Sequence, residues 1–200
     1  MPPNDAPQPE LVLFAVMAAL SGPLFAAALL LVVAGATKLL RPNQTRIALR
    51  QAELPNGRGA VQLLGLAEVA IGTAAILAGG PVPAALAAIA YGGFAWFAVR
   101  IQAKTQDTPD CGCFGSKSAP VGKVHVGLNL AIAGICALAI ALPSDSALSA
   151  TNTPWAGVPF VALTLLLCAL IYAALTSLPL ALSAAAAHKS TLSHSHGATT

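Results

Sequence analysis

The chain has 200 residues, of which 56 % are hydrophobic and only 8 % are charged, and its formal net charge is +3 at pH 7. An average soluble domain carries about 25 % charged residues, so this composition excludes a water-soluble globular protein. Abundant Ala and Gly favour closely packed helices over a wide polar pore. We therefore expect the surface of this protein to contact the lipid bilayer, and we expect no nucleic-acid partner.

Five apolar stretches approach or exceed the roughly 20 residues needed to cross a bilayer. The first begins at Leu11 or Leu24 and ends near Leu39, because Ser21-Gly22-Pro23 permits either one kinked helix or a short outer segment before the crossing. The other spans are predicted at about residues 60–78, 83–101, 123–142 and 155–182. The sequence thus predicts an all-α integral membrane bundle.

Polar segments flank the helical domain, which we assign to residues 11–187. Residues 1–10 contain two acidic residues and no Lys or Arg, so they lack the positive region of a signal peptide. Residues 188–200 are rich in Ser and Thr and are predicted to form a disordered tail. The histidines of that tail are expected to be solvated instead of binding a metal.

Lys and Arg are confined to alternate connections between the predicted spans. They follow the first span, surround the connection between the third and fourth, and follow the fifth, at positions 38, 41, 46, 50, 58, 100, 104, 117, 123 and 189. The N-terminus and the other two connections have none. The positive-inside rule then predicts a multi-pass protein of the cell (plasma) membrane whose 102–122 loop faces the cytoplasm.

That loop contains Asp110-Cys111-Gly112-Cys113-Phe114-Gly115. A glycine between two thiols lets the backbone bend enough to close a disulfide, and so small a ring is strained and easily reduced. A structural staple over one residue would remove little chain entropy. Redox exchange through Cys111 and Cys113 is therefore predicted. Two zinc ligands, inert loop residues or a bond to another chain stay open as alternatives.

Cations near the two thiols would stabilise a thiolate, which is the nucleophilic form of cysteine. Arg100 lies at the end of the third span, and His125 lies at the start of the fourth. An imidazole at that position could act as a base or stabilise the thiolate. We therefore name His125 as a candidate catalytic residue and Arg100 as a supporting one.

The fourth span places His125, Asn129 and Cys136 on one stripe, since they are separated by four and seven residues. Cys136 lies roughly 15 Å deeper than His125 at 1.5 Å per residue, too far for direct exchange with the loop thiols. A packing role is the simpler interpretation for Cys136 and for Cys168. Asn129 can bridge helices and is a candidate supporting residue.

Glu68 is the only carboxylate inside a predicted span. An ionisable group at that depth is costly and marks a candidate functional site. Lys38 is the expected partner, and a Glu68–Lys38 or Glu68–Asn129 contact would fix the helix register. In a functional role, Glu68 would exchange protons with a bound redox partner or a quinone. Gly65 and Gly72 would let a neighbouring helix or ligand approach closely.

The segments Gly35-Ala36-Thr37-Lys38-Leu39-Leu40-Arg41-Pro42, Leu54-Pro55 and Cys111-Gly112-Cys113-Phe114-Gly115, together with Glu68, resemble the MauE family, which is grouped with DoxX-like redox-associated membrane proteins. The resemblance covers about residues 22–142. It implies a four-helix core, outside which the fifth transmembrane helix lies.

The resemblance implies a redox accessory protein that supports maturation of a partner, as MauE proteins are thought to do for the small subunit of methylamine dehydrogenase. It also implies a thioredoxin-like or other thiol protein as the partner. An exported client would favour an outward thiol loop, whereas the charges favour an inward one. The alternative function is a non-enzymatic membrane scaffold or a protein that binds a metal or small molecule.

Overall fold

The computed structural model describes residues 9–104, 122–141 and 154–176, with side chains described for residues 21–104, 122–141 and 158–175. All secondary structure in these ranges is α-helical, as predicted. The helices are α1 (Pro9–Leu40), α2 (Pro42–Gln51), α3 (Arg58–Leu77), α4 (Pro81–Lys104), α5 (Lys123–Ala141) and α6 (Pro154–Thr176). All except α2 are long and apolar enough to cross a membrane, which confirms the five predicted spans.

The thiol motif at Cys111 and Cys113 lies outside the described residues, as do the predicted tail at 188–200 and the last residues of the predicted fifth span. The helix bounds differ only slightly from the predicted spans. The third span begins at Pro81 instead of Pro83 and extends to Lys104.

The first helix runs unbroken from Pro9 to Leu40 and contains Pro23 in its interior. Of the two alternatives left open for Ser21-Gly22-Pro23, the structure therefore has the single long helix. Proline is tolerated inside transmembrane helices because neighbouring groups can satisfy the backbone carbonyl that it leaves unbonded.

The short helix α2 was not predicted, because its polar residues gave no apolar span. Pro42 occupies the first helical turn, where a missing N–H group costs nothing. Pro42, Thr45 and Ala48 are buried at a spacing of three residues, so α2 lies with one face against the bundle. Beyond its end, Glu53 adopts a left-handed conformation with φ of 55° and turns the chain toward α3.

Helices α1 and α3 pack backbone to backbone through glycines. A Cβ atom added at Gly35 would lie 2.5 Å from the carbonyl oxygen of Gly65, and one added at Gly65 would lie 2.8 Å from the carbonyl oxygen of Gly35. A Cβ atom at Gly72 would lie 2.6 Å from the carbonyl oxygen of Ala28. The expectation that Gly65 and Gly72 permit close approach is confirmed, and the neighbour is α1.

The largest apolar cluster among the described residues joins α1, α4 and α5. Its buried members include Leu31 on α1, Tyr91 on α4 and Cys136 on α5. The Tyr91 hydroxyl donates a 2.7 Å hydrogen bond to the carbonyl oxygen of Ala27, so its polar atom is satisfied inside the bundle. Helix α6 packs on α1, where the Phe25 and Phe160 rings meet edge to face with centroids 5.7 Å apart.

Candidate functional site

A buried ion pair joins α1 to α3. Lys38 Nζ donates a 2.8 Å hydrogen bond to Glu68 Oε2, and the two side chains are only 3 % and 2 % exposed. The ammonium group also donates to the carbonyl oxygen of Ala34 at 3.5 Å and lies 5.3 Å from the centroid of the Phe94 ring. The predicted contact between Lys38 and Glu68 is therefore present.

Glycine packing explains why these two charges meet. Gly35 precedes Lys38 by three residues on α1, and Gly65 precedes Glu68 by three residues on α3. Each glycine therefore lies close to the same face of its helix as the charged residue. Since α1 and α3 are antiparallel, Lys38 and Glu68 lie one turn on either side of the Gly35–Gly65 contact, and their long side chains reach toward each other across it.

The second carboxylate oxygen of this pair is unsatisfied within the described part of the chain. Glu68 Oε1 is buried and has no hydrogen-bond partner among the described residues. A buried carboxylate oxygen without a donor costs free energy, and native structures seldom leave one unpaired. Glu68 thus has an acceptor available on the side that Lys38 does not occupy.

An apolar groove of about 380 Å³ lies over this pair, between α3 and α4. Lys38 and Glu68 form its polar floor, and Phe94, Trp96 and Phe97 supply aromatic walls. The remaining lining residues come from α2 to α4 and are Thr45, Leu49, Leu54, Leu64, Ala67, Ile71, Leu86, Ile89, Ala90 and Gly93. The volume falls within the range of small-molecule sites.

The end of α4 is attached to the connection between α2 and α3. Arg100 Nε donates a 2.9 Å hydrogen bond to the carbonyl oxygen of Ala52, and its guanidinium group lies 5.6 Å from the Trp96 ring centroid. Lys104 Nζ lies 2.6 Å from Glu53 Oε2. The hydrogen bond and charge of Lys104 hold the pKa of Glu53 below its ordinary value.

These contacts refine the role predicted for the basic residues near the thiols. Lys104 has an acidic partner, so its charge is partly neutralised, and Arg100 is directed toward a carbonyl group and an aromatic ring. Both side chains position the C-terminal end of α4, from which the chain continues toward Cys111 and Cys113.

The stripe on α5 is buried as its spacing predicts. His125, Asn129 and Cys136 are 3 %, 9 % and 0 % exposed. Asn129 Nδ2 donates a 2.7 Å hydrogen bond to the carbonyl oxygen of His125, so the described bond of Asn129 stays within α5. Of the two predicted contacts for Glu68, the structure contains the one with Lys38.

His125 faces the interior of the bundle. The backbone of Leu175 on α6 is a hydrogen-bond partner of the imidazole, and Nδ1 is buried with no partner in the described part of the chain. Cys136 lies within the apolar cluster of α1, α4 and α5, in agreement with a packing role. Among the described side chains, no group of three His, Cys, Asp or Glu residues could hold a metal ion.

The sequence reasoning missed Phe94, Trp96 and Glu53 as parts of this region. A signal for the first two was present in the run Phe94-Ala95-Trp96-Phe97, the densest aromatic segment of the chain. No sequence signal pointed to Glu53, since its role depends on where the α2–α3 connection meets the end of α4.

The family model described as methylamine utilisation protein MauE matches residues 12–142, well over half of the chain. The match covers α1 from residue 12 onward, α2 to α5 and the thiol motif, and it begins ten residues before the predicted core. No curated protein and no solved structure matches the chain. The chain belongs to the MauE family, and this membership implies a membrane protein involved in methylamine utilisation.

Proposed function

We propose that this protein is a membrane redox accessory that exchanges disulfides with a partner protein through Cys111 and Cys113. The partner is a thioredoxin-like or other thiol protein, and the exchange supports maturation of a client. Within the family, the client would be the small subunit of methylamine dehydrogenase or a protein like it.

One observation carries this proposal: the segment with the two thiols connects two helix ends that are held at the same end of the bundle as the buried ion pair. Arg100 and Lys104 attach the end of α4 to the α2–α3 connection. On the other side of the thiol segment, α5 begins at Lys123, and His125 is buried within its first turn.

Exchange would proceed by thiolate attack on a disulfide. A partner thiolate attacks one sulfur of the Cys111–Cys113 disulfide, forming a mixed disulfide and releasing the other cysteine as a thiolate. The second partner thiol then displaces the bound cysteine. The partner leaves oxidised, and Cys111 and Cys113 remain as two thiols that must be reoxidised.

The proposal also assigns a location and an orientation. The protein lies in the cell membrane, with the thiol segment on the cytoplasmic side. This orientation is supported by the charges, because Lys38, Arg58, Arg100 and Lys123 lie at or near helix ends at one end of the bundle.

Replacement of Cys113 by Ser tests the exchange in its reverse direction, because the Cys111 thiolate can still attack the disulfide of an oxidised partner, and the Cys113 thiol that would displace that partner is gone. Non-reducing electrophoresis of cells that contain Cys113→Ser should reveal a covalent adduct with a thiol protein, which a reductant releases. The matched control is Cys168→Ser, which keeps the loop thiols. Absence of any adduct, with the redox state of thioredoxin-like proteins unchanged, would contradict the proposal.

A further inference from the structure

The groove between α3 and α4 is open toward the bilayer. Leu64, Leu86 and Ile89 line it and are 39 %, 43 % and 71 % exposed, so they form a lipid-facing rim. In a membrane, a molecule reaches such an opening from the hydrocarbon region and not from water. The occupant should therefore have an apolar body.

The floor of the groove requires a polar head on that molecule. Glu68 Oε1 accepts no hydrogen bond from a described residue, so it offers an acceptor to a ligand O–H group. Lys38 Nζ makes two described hydrogen bonds, to Glu68 and Ala34, and an ammonium group has three N–H donors. The third donor suits a ligand carbonyl oxygen.

The walls favour a flat ring. Phe94, Trp96 and Phe97 line the groove beside the ion pair, and aromatic side chains bind planar rings by offset or edge-to-face contact. A phosphate group would be repelled by Glu68, which disfavours the head of a phospholipid. A neutral ring that bears oxygen atoms fits both the floor and the walls.

From these features we propose that the groove binds a lipid-soluble quinone. The carbonyl form accepts a hydrogen bond from Lys38, and the hydroquinone form donates one to Glu68 Oε1. The prenyl or alkyl chain leaves between α3 and α4 toward the lipid. The Lys38–Glu68 pair can therefore bind both the oxidised and the reduced form.

This inference rests on the proposed function, because it supplies the electron acceptor which that function needs. Reoxidation breaks the two S–H bonds of Cys111 and Cys113 and forms one S–S bond. The two electrons and two protons released reduce the quinone and form two O–H bonds on the hydroquinone. Phe97 lies about two helical turns, or roughly 10 Å, before Lys104, where α4 ends and the chain continues toward the thiols.

Binding can be measured on the purified full-length protein in lipid nanodiscs. The probe is a benzoquinone that carries a ten-carbon alkyl chain, titrated in its oxidised form and, under argon, in its reduced form. Gly93→Leu should fill the groove, because Gly93 lines it and has open space around its Cβ position. Gly92→Leu is the matched control, since Gly92 also has open space but does not line the groove.

We expect Gly93→Leu to weaken binding of both forms at least tenfold, while Gly92→Leu binds as the wild type does. Glu68→Gln should weaken binding of the hydroquinone by about tenfold, because it removes the charged acceptor of the hydroquinone O–H group. Its effect on binding of the quinone should be smaller. Equal affinity of Gly93→Leu and wild type would overturn the inference. The inference would also be overturned if decanol displaced the quinone with the same affinity, because the groove would then bind any amphipathic molecule.

The doubly substituted Cys111→Ser, Cys113→Ser protein separates this inference from the proposed function. It should bind the quinone normally, because the groove's polar floor and aromatic walls come from other, described residues. A mixed disulfide in Cys113→Ser cells without quinone binding would refute the groove site alone. Quinone binding without any partner adduct would refute the exchange function alone.

Discussion

Lys38 and Glu68 are 30 residues apart in the sequence, yet Lys38 Nζ and Glu68 Oε2 lie 2.8 Å apart in the interior of the bundle. The pair ties α1 to α3 at a single register, because a shift of either helix by one residue would rotate its charge away from the other. The ion pair therefore connects the segment around Lys38 at the end of α1 to Glu68, the carboxylate in the floor of the groove.

Removal of one member of this pair should be strongly destabilising. Lys38→Met leaves Glu68 buried without its counter-ion, and breaking a buried pair in this way costs about 3–5 kcal/mol. The measurement is the midpoint of thermal unfolding in mild detergent. The double substitution Lys38→Met, Glu68→Leu should recover most of the loss, since it removes both charges. A double variant no more stable than Lys38→Met would contradict this account of the pair.

Close packing of α1 on α3 makes a second prediction. Gly65→Ala places a Cβ atom 2.8 Å from the carbonyl oxygen of Gly35, so the two helices must separate. Overpacking of this kind costs about 1–3 kcal/mol. Gly59→Ala on the same helix is the control, because its Cβ atom would meet nothing within 4 Å. Thermal unfolding should show a loss for Gly65→Ala only, and equal midpoints for the two variants would contradict the prediction.

Much of the architecture could be predicted because a bilayer imposes strong constraints on a sequence. Apolar runs of the required length gave the five spans, and the rarity of ionisable groups inside them made Lys38 and Glu68 natural partners. Helical pitch alone placed His125, Asn129 and Cys136 on one buried stripe.

Other features depend on tertiary packing and have no recognisable pattern in the sequence. Helix α2 is polar, so it resembled a loop until its buried face was known. The groove depends on how α3 and α4 pack beside the ion pair, which no residue pattern encodes. The roles of Arg100 and Glu53 depend on where the α2–α3 connection meets the end of α4.

The ion pair between Glu53 and Lys104 predicts a small pH dependence. Because Lys104 lowers the pKa of Glu53 in the folded state, the pair stabilises the protein above the ordinary carboxyl pKa of 4.5. That stability is lost as the pH falls through the lower pKa of the folded state. Glu53→Gln should therefore be less stable than wild type at pH 7, with the difference vanishing at acidic pH.

Both members of this pair are well exposed, so the effect should be modest and weakened by salt. Unfolding midpoints of wild type, Glu53→Gln and Glu53→Gln, Lys104→Gln at pH 7 and below pH 4 provide the test. The double variant should resemble Glu53→Gln at pH 7. A stability difference between wild type and Glu53→Gln that is unchanged at acidic pH would show that the pair is not its source.

Cysteine labelling in cells tests the proposed orientation. In a Cys136→Ser, Cys168→Ser background, a membrane-impermeant maleimide should reach Cys111 and Cys113 only after the membrane is permeabilised. Ala78→Cys, in a background that also lacks the loop thiols, is the control for the opposite side. Ala78 is exposed at the end of α3, away from the cationic end of the bundle, so it should be labelled in intact cells. Labelling of the loop thiols in intact cells would contradict the proposed orientation. It would show that the distribution of Lys and Arg does not determine the topology of this protein. That result would place the thiols on the side where an exported client matures, and would favour direct exchange with that client over exchange with a cytoplasmic thiol protein.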